Sequence, residues 1–277
     1  MKRFLLILVI ACTFGAGVHA QEFGTLESLL TDAPAGMVPA ASAKLQQFRR
    51  ELGEPTVAND RIFLQTLFKQ VHRNFLKKYV AYSEFQDVFT SGNFDCLTAT
   101  ALFSQMLSEY AYRYSLIETN YHIFIVVHTI HGEVLLETTD RIHGFVTDED
   151  EIVERVGGYR RNQLTTAVAS DKVMYAYHTD LYRELSADKL PGLLHFNQAI
   201  RAFNNTDWIG CVAKLEKARE IYDSPRNEEL AALLLRAVWD HEHDESRKKE
   251  IISRLRPFII SGNSATGNIP EPSFAGR

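Results

Sequence analysis

Three kinds of side chain that can share a proton follow one another along the middle of the chain: Cys96, then His122, then the acids Glu137 and Asp140. A thiol attacks a carbonyl carbon when a neighbouring base takes its proton, and an imidazole serves best when an acid fixes its orientation. Cys96 lies in Phe94-Asp95-Cys96-Leu97-Thr98-Ala99, directly after Ser91-Gly92-Asn93. Asp95 stands where an N-cap belongs, because its carboxylate can accept from the free N–H groups of a first helical turn. Cys96 then falls in that turn, where the positive end of the helix dipole favours a thiolate. The plainer reading of Cys96 is a small buried apolar residue.

The elements that must position these groups show in the periodicity. From Cys96 to about Tyr110 the apolar residues recur at helical spacing, with Leu102, Met106 and Tyr110 on one side. The period then drops to two, and Tyr114 to Thr119, Tyr121 to Thr129 and Glu133 to Thr139 read as strands around an Ile130-His131-Gly132 turn. Helix, then strand, strand, strand predicts an α+β domain with an antiparallel sheet on the cysteine helix. His122 opens the second strand, whereas His128, His131 and His143 read as exposed turn residues. A four-residue loop from His128 to His131 sets His122 opposite Glu137; a three-residue loop from Ile130 to Gly132 sets it opposite Asp140. Spacing alone leaves both registers open.

Upstream, Ala41 to Leu52 reads as a helix ended by Gly53-Glu54-Pro55. Asn59-Asp60 caps another, with Ile62, Phe63, Leu67, Val71 and Phe75 on one face. Val80 to Phe89 reads as a short helix. Downstream, Asp148 to Glu151 starts a solvated helix, Gly157-Gly158-Tyr159-Arg160-Arg161 reads as a loop, and residues 165–178 fit no single pattern. From Leu181 the chain reads as helical, with segments His195 to Phe203, Trp208 to Tyr222, Asn227 to His241 and Glu245 to Ile260.

An Asp-Cys pair opening a helix, a histidine opening a strand, and Gly132-Glu133-Val134-Leu135-Leu136-Glu137-Thr138-Thr139 together resemble the bacterial transglutaminase-like superfamily. The resemblance covers about residues 60 to 145. It implies a papain-like core and a Cys96–His122–Glu137 triad acting on peptide or isopeptide amides. Matching the last strand places Glu137 at the family's acid position, where aspartate is commoner, with Asp140 as runner-up. The family's tryptophan in that strand is absent. The N–H of Cys96 would be one oxyanion donor, and the Asn93 and Gln86 amides are candidates for the second. Hydrolysis, protease- or amidase-like, ranks ahead of cross-linking, because nothing marks a site that favours an amine over water. His195 to Tyr222 resembles a single tetratricopeptide-like hairpin, which needs neighbouring helices to cover its face. The competing reading is a non-catalytic scaffold that binds a partner protein through this helical region.

The bulk properties set the frame. The chain has 277 residues, 45% apolar and 23% charged, with a net charge of -5. No concentrated basic face points to nucleic acid, and no HExxH or close Cys/His cluster points to a metal or other cofactor. Lys2-Arg3, the apolar run from Phe4 to Ile10 and the small residues ending Val18-His19-Ala20 read as a secretory signal peptide. That implies export to the periplasm or medium; a lipid anchor through Val9-Ile10-Ala11-Cys12 ranks second. No other segment is apolar enough to span a bilayer. Cys96 and Cys211 then remain, either paired or both free. The expected organisation is a signal peptide over 1–20, an N-terminal segment over 21–58, a transglutaminase-like domain over 59–180, a helical region over 181–260 and a disordered tail over 261–277.

Overall fold

The structure is a computed structural model, and it describes residues 25–120, 122–161 and 181–262. The expected signal peptide, the segment 165–178 and the tail beyond residue 262 lie outside the described residues.

The fold is mixed α+β around a five-stranded antiparallel sheet. The N-terminal helices are α1 (Leu26–Leu29), α2 (Met37–Leu52) and α3 (Asp60–Asn74). Gly53 ends α2 at φ 80°, a left-handed value that glycine takes without strain. On α3 the buried stripe runs through Phe63, Leu64, Leu67, Phe68 and Val71. That is the i, i+3, i+4 pattern of one helical face, and it turns Ile62, expected on that face, out to 69% exposure.

The helix expected over residues 80–89 forms only as α4 (Asp87–Thr90). Tyr82 takes a left-handed backbone (φ 60°) and Ser83 Oγ donates back to the Val80 carbonyl, so the segment turns instead of coiling. Two short strands, β1 (Lys78–Tyr79) and β2 (Asn93–Phe94), pair in parallel and close this loop just before the cysteine.

Helix α5 (Cys96–Glu109) is buried nearly all round, as a central helix must be, with Ala99, Leu102, Phe103 and Met106 fully buried. It packs on a sheet of β3 (Arg113–Thr119), β4 (Ile123–Thr129), β5 (Gly132–Leu136), β6 (Phe145–Val146) and β7 (Tyr182–Leu185), ordered β6-β5-β4-β3-β7. Alternation decides the faces. Ile123, Ile125, Val127, Val134 and Leu136 join the main core with α5, while Phe124, Val126 and Leu135 form a second cluster with Ile152. Ile152 belongs to α6 (Glu149–Arg161), which includes the Gly157–Arg161 stretch expected as a loop. Two glycines are poor helix formers, but Ile152, Val156 and Tyr159 fall on one face and pack on the sheet, and that packing overrides propensity.

β7 corrects a second expectation, since the chain after Leu181 is a strand before it is a helix. It pairs with β3 from Leu116↔Leu185 to Thr119↔Tyr182 and sets Arg183 directly opposite Glu118. An opposite-charge cross-strand pair supports a strand that its short, polar sequence hid. Four helices follow: α7 (Leu190–Asn204), α8 (Trp208–Ile221), α9 (Pro225–His241) and α10 (Glu245–Gly262). Asp207 and Ser224 cap α8 and α9 through their side chains. The α7–α8 approach is so close that a Cβ at Gly192 would stand 2.6 Å from that of Tyr222.

Candidate active site

Cys96 is the first residue of α5 because Asp95 caps the helix as its sequence suggests. Asp95 Oδ1 accepts from the Thr98 N–H at 2.8 Å, and Thr98 Oγ1 accepts from the Asp95 N–H at 2.8 Å. The second oxygen, Oδ2, accepts from Asn197 Nδ2 of α7 at 2.8 Å. Cys96 is half-buried and free, as is the wholly buried Cys211, so the two are not joined.

His122 precedes β4 and is fixed by its own backbone. Its N–H donates to Thr119 Oγ1 at 3.1 Å and its carbonyl accepts from the Thr119 N–H at 2.8 Å. Its Nε2 meets Glu137 Oε2 at 2.6 Å. The hairpin does so in neither expected register. Thr129 pairs with Gly132 across a two-residue turn, and the ladder runs to Ile125↔Leu136. Continuing it sets Glu137 opposite Phe124, one pleat away from His122 on the same face. A diagonal neighbour stays within reach of a long side chain, and glutamate has the extra methylene to cover it.

Glu137 is 5% exposed and held from several sides. Tyr159 Oη donates to Oε2 at 2.8 Å and Thr139 Oγ1 to Oε1 at 2.9 Å. Burial raises its pKa, but the hydrogen bond and charge of His122, then Tyr159 and Thr139, outweigh it and leave the carboxyl below its usual value. The Tyr159 ring also packs 5.3 Å from the His122 ring. Asp140 is elsewhere engaged, accepting from the Ile142 and His143 N–H groups at 3.0 and 2.8 Å.

Cys96 and His122 line one cavity of about 150 Å³. With Nε2 committed to Glu137, Nδ1 is the nitrogen that can serve the thiol; among the described residues no hydrogen bond joins the two side chains in this resting arrangement. The thiolate expected from the helix end is not the resting state. Burial first, then the charges of Asp95 and Glu137, push the Cys96 thiol up to about 12, against a smaller lowering from the Leu97 and Cys96 N–H groups.

The candidate oxyanion amides do not join this cavity. Gln86 donates to Glu84 Oε2 at 2.6 Å and lines a separate cavity with Leu29 and His195. Asn93 sits in β2 opposite Lys78. The Cys96 N–H, at the first helical position, has no acceptor within the helix. The sequence reading missed Tyr159, hidden in the Gly-Gly stretch, and Asn197, which nothing local connects with Cys96. Thr139 stood in view beside Glu137.

The far wall of the cavity is ionic. Glu118 is 1% exposed. It accepts from Arg226 Nη1 at 2.6 Å, from Arg183 Nε at 3.0 Å and from Tyr222 Oη. Arg226 Nη2 donates to the Asn120 carbonyl at 2.6 Å. Glu118, Asn120 and Arg226 all line the cavity, so α9 and the sheet meet there.

Among the described residues no group of three or more His, Cys, Asp and Glu side chains converges to hold a metal ion, and no helix is long and apolar enough to cross a membrane. Comparison with protein-family models, curated proteins and solved structures finds no match to this chain.

Proposed function

We propose that the protein is a cysteine-dependent acyl-transfer enzyme acting on peptide or isopeptide amides, built on a papain-like core of the transglutaminase-like kind. The observation that carries this reading is the His122–Glu137 pair at 2.6 Å, whose imidazole lines the same cavity as Cys96. Cys96 Sγ attacks the amide carbon while its proton passes to His122 Nδ1. The C–N bond then breaks, and the amine leaves with that proton, giving a thioester. Water adds to the thioester carbon, its proton goes to the imidazole and then to the departing sulfur, and the acid is released. Glu137 stays ionised throughout and stabilises the imidazolium formed twice per cycle. The neutral resting thiol makes proton transfer part of the attack, so the imidazole and thiol must close on each other when substrate binds, a tightening common to catalytic hydrogen bonds. An exported destination, periplasmic or secreted, belongs to this reading through the first twenty residues.

The test compares turnover of a library of peptide and cell-wall amides by the protein and by Cys96→Ala. Loss of turnover with the substitution supports the reading; turnover that survives it removes Cys96 from the chemistry.

A second reading is a non-catalytic scaffold, favoured by the raised thiol pKa and by the missing hydrogen bond to His122. A partner protein would then use the outer helical face, where Trp239 is 61% exposed. Cys96 that reacts with iodoacetamide no faster than Cys211 favours the scaffold.

A further inference from the structure

The cavity beside Cys96 has two unlike walls. One is the polar end of the sheet, where the principal side chains are already engaged with one another: Glu118 with Arg226 and Arg183, and Thr119 with the His122 backbone. Asn197 is likewise spent on Asp95. A charged or strongly polar guest would have to break these buried bonds, each of which leaves an uncompensated group behind. The other wall is apolar and comes from α7, whose Leu193, Phe196 and Ile200 sit at successive turns, with Leu97 and Ile123 completing it from α5 and β4. A volume of about 150 Å³ is enough for a group of about the size of benzene, and the apolar wall is where such a group would rest without breaking a polar bond.

We infer that this cavity is a specificity pocket for one medium-sized apolar side chain of the substrate, leucine- or phenylalanine-like, and that α7 sets its size through Ile200 and Leu193. The inference rests on the acyl-transfer reading for the word substrate, but the pocket exists independently of turnover. It also gives the C-terminal helices a part in the site: they supply the wall that chooses the acyl donor. A glycine in that position leaves the apolar wall wet, a tryptophan overfills it, and a lysine brings a charge with no acid free to meet it.

The experiment uses the full chain and two sets of probes. In the first, acetyl-dipeptide vinyl sulfones carry glycine, alanine, leucine, phenylalanine, tryptophan or lysine beside the electrophile or one residue before it. Labelling of Cys96 is followed by mass spectrometry. In the second, the matching unreactive dipeptide amides are titrated into Cys96→Ala by calorimetry. The leucine and phenylalanine members should exceed glycine and lysine by about tenfold or more in both, in keeping with the discrimination an apolar pocket achieves. Ile200→Trp should move the preference to glycine and alanine, and Ile200→Ala should move it towards tryptophan. The two variants have opposite signs, and circular dichroism reports whether each folds. Selective binding to Cys96→Ala without any labelling keeps the pocket and removes the catalytic reading. Labelling of Cys96 with equal rates across the series, or a preference that neither Ile200 variant moves, overturns the pocket and leaves the catalytic reading standing. Absence of both labelling and binding overturns the pocket.

Discussion

Glu137 reaches His122 across a diagonal of the sheet, at 2.6 Å, although the hairpin register does not place the two residues opposite each other. The reach of the side chain does what the register does not, and it makes side-chain length a determinant of the site.

Shortening or neutralising that side chain should therefore act on the chemistry. Glu137→Asp should lose contact with Nε2, and Glu137→Gln keeps the length but removes the charge that stabilises the imidazolium. A drop in kcat of about a hundredfold or more is expected for each. Steady-state kinetics on whichever amide the protein turns over checks this; an unchanged kcat in Glu137→Gln would remove the acid from the mechanism.

Asp95 has a double role, capping the helix and opposing ionisation of its neighbour. Asp95→Asn keeps a good N-cap and removes the charge, so the Cys96 thiol should titrate below the value of about 12 that it holds beside the carboxylate. Alkylation follows the thiolate fraction, so at pH 8 the variant should label faster with iodoacetamide than the parent. The new NH₂ group also faces a donor, Thr98 or Asn197, which should lower stability by about 1–2 kcal/mol. A pH series of labelling rates with a denaturant titration measures both.

Gly144 lies against the turn that carries the acid. A Cβ there would stand 2.2 Å from the carbonyl oxygens of both Glu137 and Asp140. Gly144→Ala must displace that turn and Glu137 with it. Activity should fall by about two orders of magnitude, as for other displacements of about 1 Å, while far-ultraviolet circular dichroism stays close to the parent's.

His72 is 1% exposed, packs on Phe68, Phe94 and Phe103, and its Nε2 has no hydrogen-bond partner among the described residues. Burial first, then the Arg141 charge, lower its pKa from 6.5 to about 4, with Asp140 opposing. The folded pKa lies below the unfolded one, so between those values the unfolded chain binds the extra proton. Stability should thus fall as pH drops from 6.5 to 4, by up to about 1.4 kcal/mol per pH unit from this residue. Denaturant titrations across that range should show the slope, and His72→Phe should flatten it.

Glu118 and Arg226 bind the sheet to α9 in a buried pair. Arg226→Met alone leaves a buried carboxylate with fewer partners and should lose about 3–5 kcal/mol; adding Glu118→Leu should recover much of that. A double-mutant cycle in urea measures the coupling, and additive losses would contradict it.

The sequence showed what local physics decides. The Asp95 cap placed the start of α5, Gly53 ended α2, and alternation found β3 to β5 because each rests on contacts within a few residues. The hairpin register escaped, since three loop lengths suit the same glycine at 132. Propensity ends α6 at Gly157, because it takes no account of the sheet that Tyr159 packs on. The local pattern reads β7 as helix, because its pairing with β3 lies more than sixty residues away. Separations of about a hundred residues hide Asn197 and Arg226: a cavity wall assembled from α7 and α9 has no signature in the strand and helix patterns around Cys96.

The bonds Asn197–Asp95 and Arg226–Glu118, each bridging about a hundred residues of chain, have a practical consequence. A boundary near residue 180 looks like a natural place to divide the molecule, yet both halves would emerge with open wounds: one with an acid stripped of its cations, the other with a bare greasy helix. The halves should find each other again when co-expressed. That makes the chain just ahead of β7 a place to split the protein for a reconstitution assay, with recovered labelling of Cys96 as the signal of reassembly.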